Sequence, residues 1–263
     1  MMSTMEPSAP VVDQDVSTVQ GGAAYMTEIE RRLAPCFEHS EPCQRAMAYL
    51  RGVLIPAARR NSWQLTEVSG DATPYAFQHL LRRALWDPEA VREELRHYVV
   101  QYLEDPEAVL VIDKTGFLKK GRHSAGVARQ DSGPAGRMEN CQLGVFVGYA
   151  SRLGQALLDR ELYLPKDWAD DPARCRQAGI PEDRRFATKP QLAQQMLQRT
   201  LAAGVAARRV TGDRVYGNDR RLRMWLAGQP HAYVLGVSGK EYVWLGWRQR
   251  RVHTLLAGVP IDG

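Results

Sequence analysis

The apolar positions of this chain change their spacing once, near Asp105-Pro106. From Tyr25 to about Glu104 they recur at helical spacing, the mark of helices with one buried face. Thr73-Pro74 predicts a helix start, a capping residue followed by proline in the first turn. Phe77, Leu80, Leu81, Ala84 and Leu85 then fall on one face, with Gln78, His79, Arg82 and Arg83 opposite. Asp87-Pro88 repeats the start signal, and Val91, Leu95, Tyr98, Val99, Tyr102 and Leu103 mark the next helix. Upstream, Asn61 to Val68 predicts a short helix and Ser69-Gly70-Asp71-Ala72 a turn. Helix, glycine turn and helix resemble a helix-turn-helix unit, whose face of Gln78, His79, Arg82 and Arg83 would meet DNA. The same four residues also suit an ordinary solvated face.

Past Asp105-Pro106 the runs shorten and become β-branched. Ala108 to Ile112 predicts a buried strand, Gly116 to Arg137 a basic loop, Cys141 to Ala150 a second strand and Ala156 to Leu164 a third. Lys166 to Lys189 is polar and proline-containing, an excursion. Pro190 opens a helix lined by Leu192, Met196, Leu197 and Leu201, which Gly204 ends. Val205 to Thr211 predicts a fourth strand, Asp219 to Ala227 a helix, and Ala232 to Val237 a fifth strand. The expected architecture is α/β, a mixed sheet core preceded by helices. The domains expected are a disordered tail at 1–22, a helical, helix-turn-helix-like DNA-binding domain at 23–105 and the sheet core at 106–263.

Composition narrows the class. Hydrophobic residues make up 44%, enough for a packed core. The net charge of +5 suits a polyanionic partner without requiring one. Cys36, Cys43, Cys141 and Cys175 form no CxxC pair and no His pair sits at finger spacing, so neither a zinc finger nor a disulfide framework is supported. The N-terminus lacks the basic start and apolar run of a signal peptide, and no apolar stretch approaches a membrane span. A cytoplasmic, nucleoid-associated protein is expected.

Two acids follow apolar strands: Asp113 after Val111-Ile112, and Asp213 after Val210-Thr211-Gly212. A carboxylate at a strand end is held rigidly yet stays open to solvent, and two together can share divalent ions that polarise a phosphodiester. Aspartate after a strand is also common at turns. What distinguishes these two is the basic segment after each, Lys119, Lys120, Arg122 and His123 in one case, Arg214, Arg220, Arg221 and Arg223 in the other.

Longer blocks then place the chain. Val111-Ile112-Asp113-Lys114-Thr115-Gly116-Phe117-Leu118-Lys119-Lys120-Gly121 resembles the first acidic block of IS701-type transposases, relatives of the IS4 group. The resemblance continues through His123 to Gln130, Gly136-Arg137, Asn140-Cys141-Gln142, Leu162 to Pro165, Phe186 to Pro190, Thr211-Gly212-Asp213 and Tyr216-Gly217, and reaches back into Asn61–Trp86. It implies a DDE transposase with a ribonuclease H-like core, in which the first acid ends the first strand and the second ends the fourth. Asp113 and Asp213 occupy those places. The resemblance further implies Mg²⁺ or Mn²⁺ held by both acids, hydrolysis at the element ends, and transfer of the freed 3′-hydroxyl to target DNA. The DNA contacts expected are Gln78, His79, Arg82, Arg83, Lys119, Lys120, Arg122, His123, Arg129, Arg137, Arg220 and Arg221, with a homodimer as the working assembly.

The chain departs from the family pattern at the third acid. After Asp213 the acids are Asp219, Glu241 and Asp262, and none lies in a helical Tyr-Arg-x-x-x-Glu-like block. Lys114 and Arg214 add positive charge beside both acids, which opposes metal binding. The expectation is a C-terminally truncated, inactive transposase core whose sheet is left partly uncovered. The alternative is a non-catalytic DNA-binding protein that occupies transposon ends and represses transposition.

Overall fold

A computed structural model describes residues 12–55, 61–132 and 136–257. The chain divides into two compact units, residues 1–94 and 95–263. The division falls inside a helix rather than at Asp105.

The first unit is helical: α1 (Val12–Leu33), α2 (Ser40–Leu54), α3 (Ser62–Ser69), α4 (Tyr75–Arg82) and the first part of α5 (Pro88–Leu103). Residues 12–22, expected in a disordered tail, belong to α1; residues 1–11 of that tail lie outside the described residues. At α3, Asn61 accepts from the backbone N–H groups of Trp63 and Gln64, and the Gln64 side chain accepts from the Asn61 N–H, a complete capping box. Gly70 ends α3 at φ 74, in the left-handed region. Pro74, not Thr73, is the residue before α4, and α4 stops at Arg82. Leu81 and Leu85 are therefore exposed, while Phe77 and Leu80 are buried as expected.

The second unit is built on a sheet. Its elements are β1 (Val109–Leu118), β2 (Ala128–Ser132), β3 (Arg137–Ala150), β4 (Gln155–Tyr163), α6 (Lys166–Ala169), α7 (Pro172–Gln177), α8 (Lys189–Ala202), β5 (Arg209–Gly212), α9 (Arg214–Gly217), α10 (Arg220–Ala227) and β6 (Ala232–Leu235). A hairpin, β7 (Tyr242–Leu245) with β8 (Arg248–Arg251), and α11 (Val252–Leu256) follow. Within the main sheet the order is β4-β3-β1-β5-β6; β3 is antiparallel to β4 and β1, while β5 is parallel to β1 and β6. Three antiparallel strands followed by two parallel crossovers is the ribonuclease H-like arrangement. The extra strand β2 pairs with the start of β3 and lies in the segment expected to be a loop.

One face of this sheet carries the core. Leu110, Ile112, Leu143, Val145, Val147, Leu158 and Val210 pack with Leu192, Ala193, Met196 and Leu197 of α8 and with Leu222 and Leu226 of α10. Each such side chain withdrawn from water contributes about 1.5–3 kcal/mol. A bulge between Val147 and Gly148 adds Leu158 to β4 and sends Asp159 inward. There Asp159 accepts from Arg96 of α5 at 2.7 Å and from Arg199 of α8 at 3.1 Å. On the other face Phe117, Leu157 and Val234 are exposed. Among the described residues no helix is long and apolar enough to cross a membrane.

Candidate active site

Strand register brings Asp113 and Asp213 together. β1 and β5 run parallel and pair as far as Ile112 with Gly212. Each aspartate is the next residue beyond that pair. The approach is tight, because a Cβ on Gly212 would lie 2.5 Å from Cγ1 of Ile112. Asp113 does not end its strand, as the sequence suggested. β1 stays paired with β3 from Asp113 with Phe146 through Leu118 with Cys141, so it is the end of β5 that exposes Asp113. Asp213 sits between β5 and α9, where its Oδ1 accepts from the Val215 N–H at 2.8 Å. Asp113 Oδ1 accepts from the Lys114 N–H at 2.7 Å. Both residues are exposed. Asp113 also borders a shallow trough of about 400 Å³ on the open sheet face, lined by Val111, Phe146, Gly148 and Leu157.

One turn after Asp213 comes Tyr216, whose N–H bonds the Asp213 carbonyl at 3.1 Å. The single turn of α9 buries its ring fully in the core, and its hydroxyl has no hydrogen-bond partner. Burial, then the charges of Asp113 and Asp213, push this phenol well above its ordinary range. Gly217 permits the placement. A Cβ there would fall 1.9 Å from the carbonyl oxygen of Gly236, just past β6, so only glycine lets α9 lie that close.

Cations surround the site in a pattern the sequence did not reveal. Lys114 Nζ bonds Asp131 Oδ2 on β2 at 2.9 Å. Lys189, the first residue of α8, lies over the Tyr163 ring with Nζ 4.9 Å from its centroid. Partial burial, then the charge of Lys114, hold the Lys189 ammonium below its usual range, while Asp131 and Asp213 oppose the shift. The hydrogen bond from Lys114, then its charge, hold Asp131 below the usual carboxylate range, helped by Lys189 and Arg214. Lys189 escaped notice among the basic residues of the sequence. Its position was the available signal, since a cation in the first turn of a helix opposes the dipole and needs another reason to be there.

The expected DNA contacts are dispersed. Gln78, His79, Arg82 and Arg83 are exposed on and just past α4, in the first unit. Lys119 is half-buried, with its N–H on the Asn140 carbonyl, while Lys120, Arg122 and His123 are exposed in the loop after β1. Arg129 is exposed on β2, and Arg137 pairs with Glu139 at 2.6 Å. Arg220 and Arg221 are exposed at the start of α10.

The family model described as DDE superfamily endonuclease matches residues 32–258. The chain belongs to that family. This member is 26% identical over 201 residues to the "Probable transposase for insertion sequence element IS701" of Microchaete diplosiphon, across 75% of this chain and 50% of that protein. It thus spans about half the length of that curated relative. Against the solved "Drosophila P element transposase strand transfer complex" the identity is 12%, with 80% of this chain and 47% of that chain covered and a TM-score of 0.26, too low for a superposable fold.

The donor set of this family member suits a hard divalent cation. Asp113 and Asp213 offer carboxylate oxygens that stay open to water, which Mg²⁺ retains alongside one or two carboxylates. Among the described residues no group of three or more His, Cys, Asp or Glu side chains comes together.

Proposed function

We propose that this chain carries the first two acids of an insertion-sequence transposase, which cleaves element ends and joins the freed 3′-hydroxyl to target DNA. The observation that supports it most is the juxtaposition of Asp113 and Asp213 one step beyond the last parallel pair of β1 and β5, in a chain of the DDE family. Asp113 and Asp213 would hold Mg²⁺ or Mn²⁺, which when bound supplies Lewis-acid activation of the attacking and leaving oxygens. Lys119, Lys120, Arg122, His123, Arg129, Arg137, Arg220 and Arg221 are proposed phosphate contacts that set the strand against the acids without reading its sequence. The remaining parts of the proposal are a homodimer that joins two ends and a cytoplasmic, nucleoid-associated location.

Asp113 and Asp213 are proposed to bind the metal, and the basic segments around them to bind DNA. Mn²⁺ binding followed by electron paramagnetic resonance, together with a nicking assay on element-end DNA, tests both statements. Metal binding lost in Asp113→Asn and Asp213→Asn supports the acid pair, and binding indifferent to both substitutions sinks it. Mg²⁺-dependent cleavage that either substitution abolishes would extend the role of the pair from binding to chemistry.

A second reading is favoured by the exposure of Gln78, His79, Arg82 and Arg83. On it, the α3–turn–α4 segment binds element ends and the chain represses transposition without chemistry. Replacing Arg82 and Arg83 with alanine should then abolish end binding, whereas a core-dominated contact would leave residual binding.

A further inference from the structure

The hairpin β7–β8 carries aromatic rings and cations that the acid pair does not use. Apart from half-buried Val243, every residue of its two strands is exposed. Trp244 is 65% exposed and Trp247, at the tip, 97%. Tryptophan ordinarily buries most of its large ring, so two exposed on one small element mark a surface shaped for a partner. The backbone holds them in place. Leu245 pairs with Arg248, which leaves Gly246 and Trp247 as a two-residue turn. Gly246 takes φ 61, the left-handed value that the first position of such a turn requires. Tyr242 pairs with Arg251 and Trp244 with Gln249, so these four share one face, and Arg248 and Arg250 fall on the other. On the first face Arg251 Nε donates to the Tyr242 hydroxyl at 2.7 Å, with the guanidinium carbon 5.2 Å from the ring centroid.

Charge and position point the same way. From Gly239 to Ala257 the cations are Lys240, Arg248, Arg250 and Arg251, and the one acid is Glu241. Glu241 answers Arg223 of α10 at 3.9 Å. Among the described residues Arg248 and Arg250 have no anionic partner. The root of the hairpin lies at the acid end of the sheet. β5 and β6 run parallel and pair as far as Gly212 with Leu235, and Asp213 is one step beyond. The chain leaving β6 stays there: the Gly236 N–H bonds the Gly212 carbonyl at 2.9 Å, and the Ser238 N–H bonds Asn218 Oδ1 at 2.8 Å.

We propose that this hairpin binds single-stranded DNA, with unpaired bases stacked on Trp244 and Trp247 and phosphates held by Arg248 and Arg250. This rests on the DNA-binding part of the proposed function and not on metal at Asp113 and Asp213. A duplex shows a protein its base edges, because the base faces are stacked on one another; an unpaired strand offers those faces to a tryptophan ring. The unpaired guanidinium groups match the charge of the backbone between the bases. A second copy of this chain would set the same cations against these, a repulsion that favours a polyanion over a self-interface.

The experiment is anisotropy of a fluorescein-labelled oligothymidylate on the full chain without divalent metal, beside a labelled duplex of equal length. The parent should prefer the single strand. Trp244→Ala with Trp247→Ala should weaken single-strand binding about 10-fold or more, with the duplex less affected, and phenylalanine at both positions should restore most of it. Arg248→Gln with Arg250→Gln should lower the dependence of log affinity on log salt by about 1.4, as loss of two phosphate contacts to a single strand does. Single-strand affinity that the alanine pair leaves unchanged overturns the proposal. Sedimentation in which that pair dissociates a parent dimer, with the affinity unchanged, overturns it in favour of an interface between copies. A chain that binds neither oligonucleotide overturns the DNA reading and this proposal together, whereas loss of the acid pair's metal binding leaves it standing. A second measurement needs no variant. An oligonucleotide carrying iodouracil, irradiated on the parent chain, should crosslink to Tyr242, Trp244 or Trp247, and crosslinks confined to residues outside the hairpin overturn the proposal.

Discussion

Lys114 bonds Asp131 at 2.9 Å and points away from Asp113, its neighbour in the chain. Alternation along β1 places the two side chains on opposite faces, so the lysine expected to repel a metal is instead balanced by a carboxylate of its own. Asp131 also answers Lys189 and Arg214. Asp131→Asn should therefore leave these cations uncompensated and weaken Mn²⁺ binding by about fivefold, through repulsion that solvent partly screens. Lys114→Met should move the affinity the other way. Isothermal titration at low and high salt reads both, and the difference should shrink at high salt. An Asp131→Asn affinity equal to the parent's would mean that these charges do not reach the metal site.

Asp159 is the buried anion of the sheet core, wholly removed from solvent with Arg96 2% exposed beside it. Arg199 joins the same carboxylate and also reaches Glu161, which Arg184 bonds at 2.6 Å. Asp159→Asn would leave Arg96, buried from solvent, and Arg199, partly exposed, short of their shared anion. Removing one partner of a buried pair typically costs about 3–5 kcal/mol. Urea unfolding followed by circular dichroism should show a loss of that order, and a loss below about 1 kcal/mol would place Asp159 with ordinary surface pairs.

The strands around the site were legible because their apolar runs are continuous. Val109 to Ile112, Cys141 to Ala150 and Val210 to Thr211 all lie in strands in the expected order. The helices begun at Asn61 and Asp219 were equally legible, and the structure makes each of these residues the cap, its side chain accepting from the first turn. What the pattern hid was set by pairing rather than by residue type. β1 runs on to Leu118 because β3 is long enough to meet it, and β2 forms because the start of β3 has a free edge. The bulge that turns Asp159 inward leaves no trace in the alternation of β4. Asp113 and Asp213 stood out as acids after apolar runs, but the placement of Lys189 and the burial of Tyr216 depend on how α8 and α9 seat on the sheet, which no local spacing encodes.

Gly217 offers a steric test of that seating. A methyl group at this position would overlap the Gly236 carbonyl oxygen, a backbone atom that cannot swing aside. Gly217→Ala should lift α9 from the end of β6 and cost about 1–3 kcal/mol, as overpacking does. It should also disturb metal binding, because Asp213 caps the same turn. Gly179→Ser is the control: it lies at φ 70, and a Cβ added there would meet no atom within 4 Å, so strain alone, without a clash, acts there. Calorimetry and Mn²⁺ titration on both variants should separate them, the first losing stability and affinity, the second stability only. Parent-like metal binding in Gly217→Ala would show that α9 can shift without moving the acids.

Asp105 supplies the pH dependence. Its carboxylate accepts from the Arg152 side chain at 2.9 Å and from the backbone N–H of Glu107 at 2.8 Å, just before β1 begins. The Arg152 hydrogen bond, then that from Glu107, hold its pKa at about 2, below the ordinary 3.8. A carboxylate whose pKa is depressed by folding binds protons more weakly in the native state than in the unfolded chain. Its stabilisation is then complete above the unfolded value of 3.8 and is lost as the pH falls through about 2. Asp105→Asn should lower Tm at neutral pH, and the gap between parent and variant should narrow as the pH is taken from about 5 towards 2. Arg152→Gln should reproduce most of that narrowing, since Arg152 is the first cause of the shift. A gap that stays constant over this range would mean that the Arg152 contact does not persist in solution.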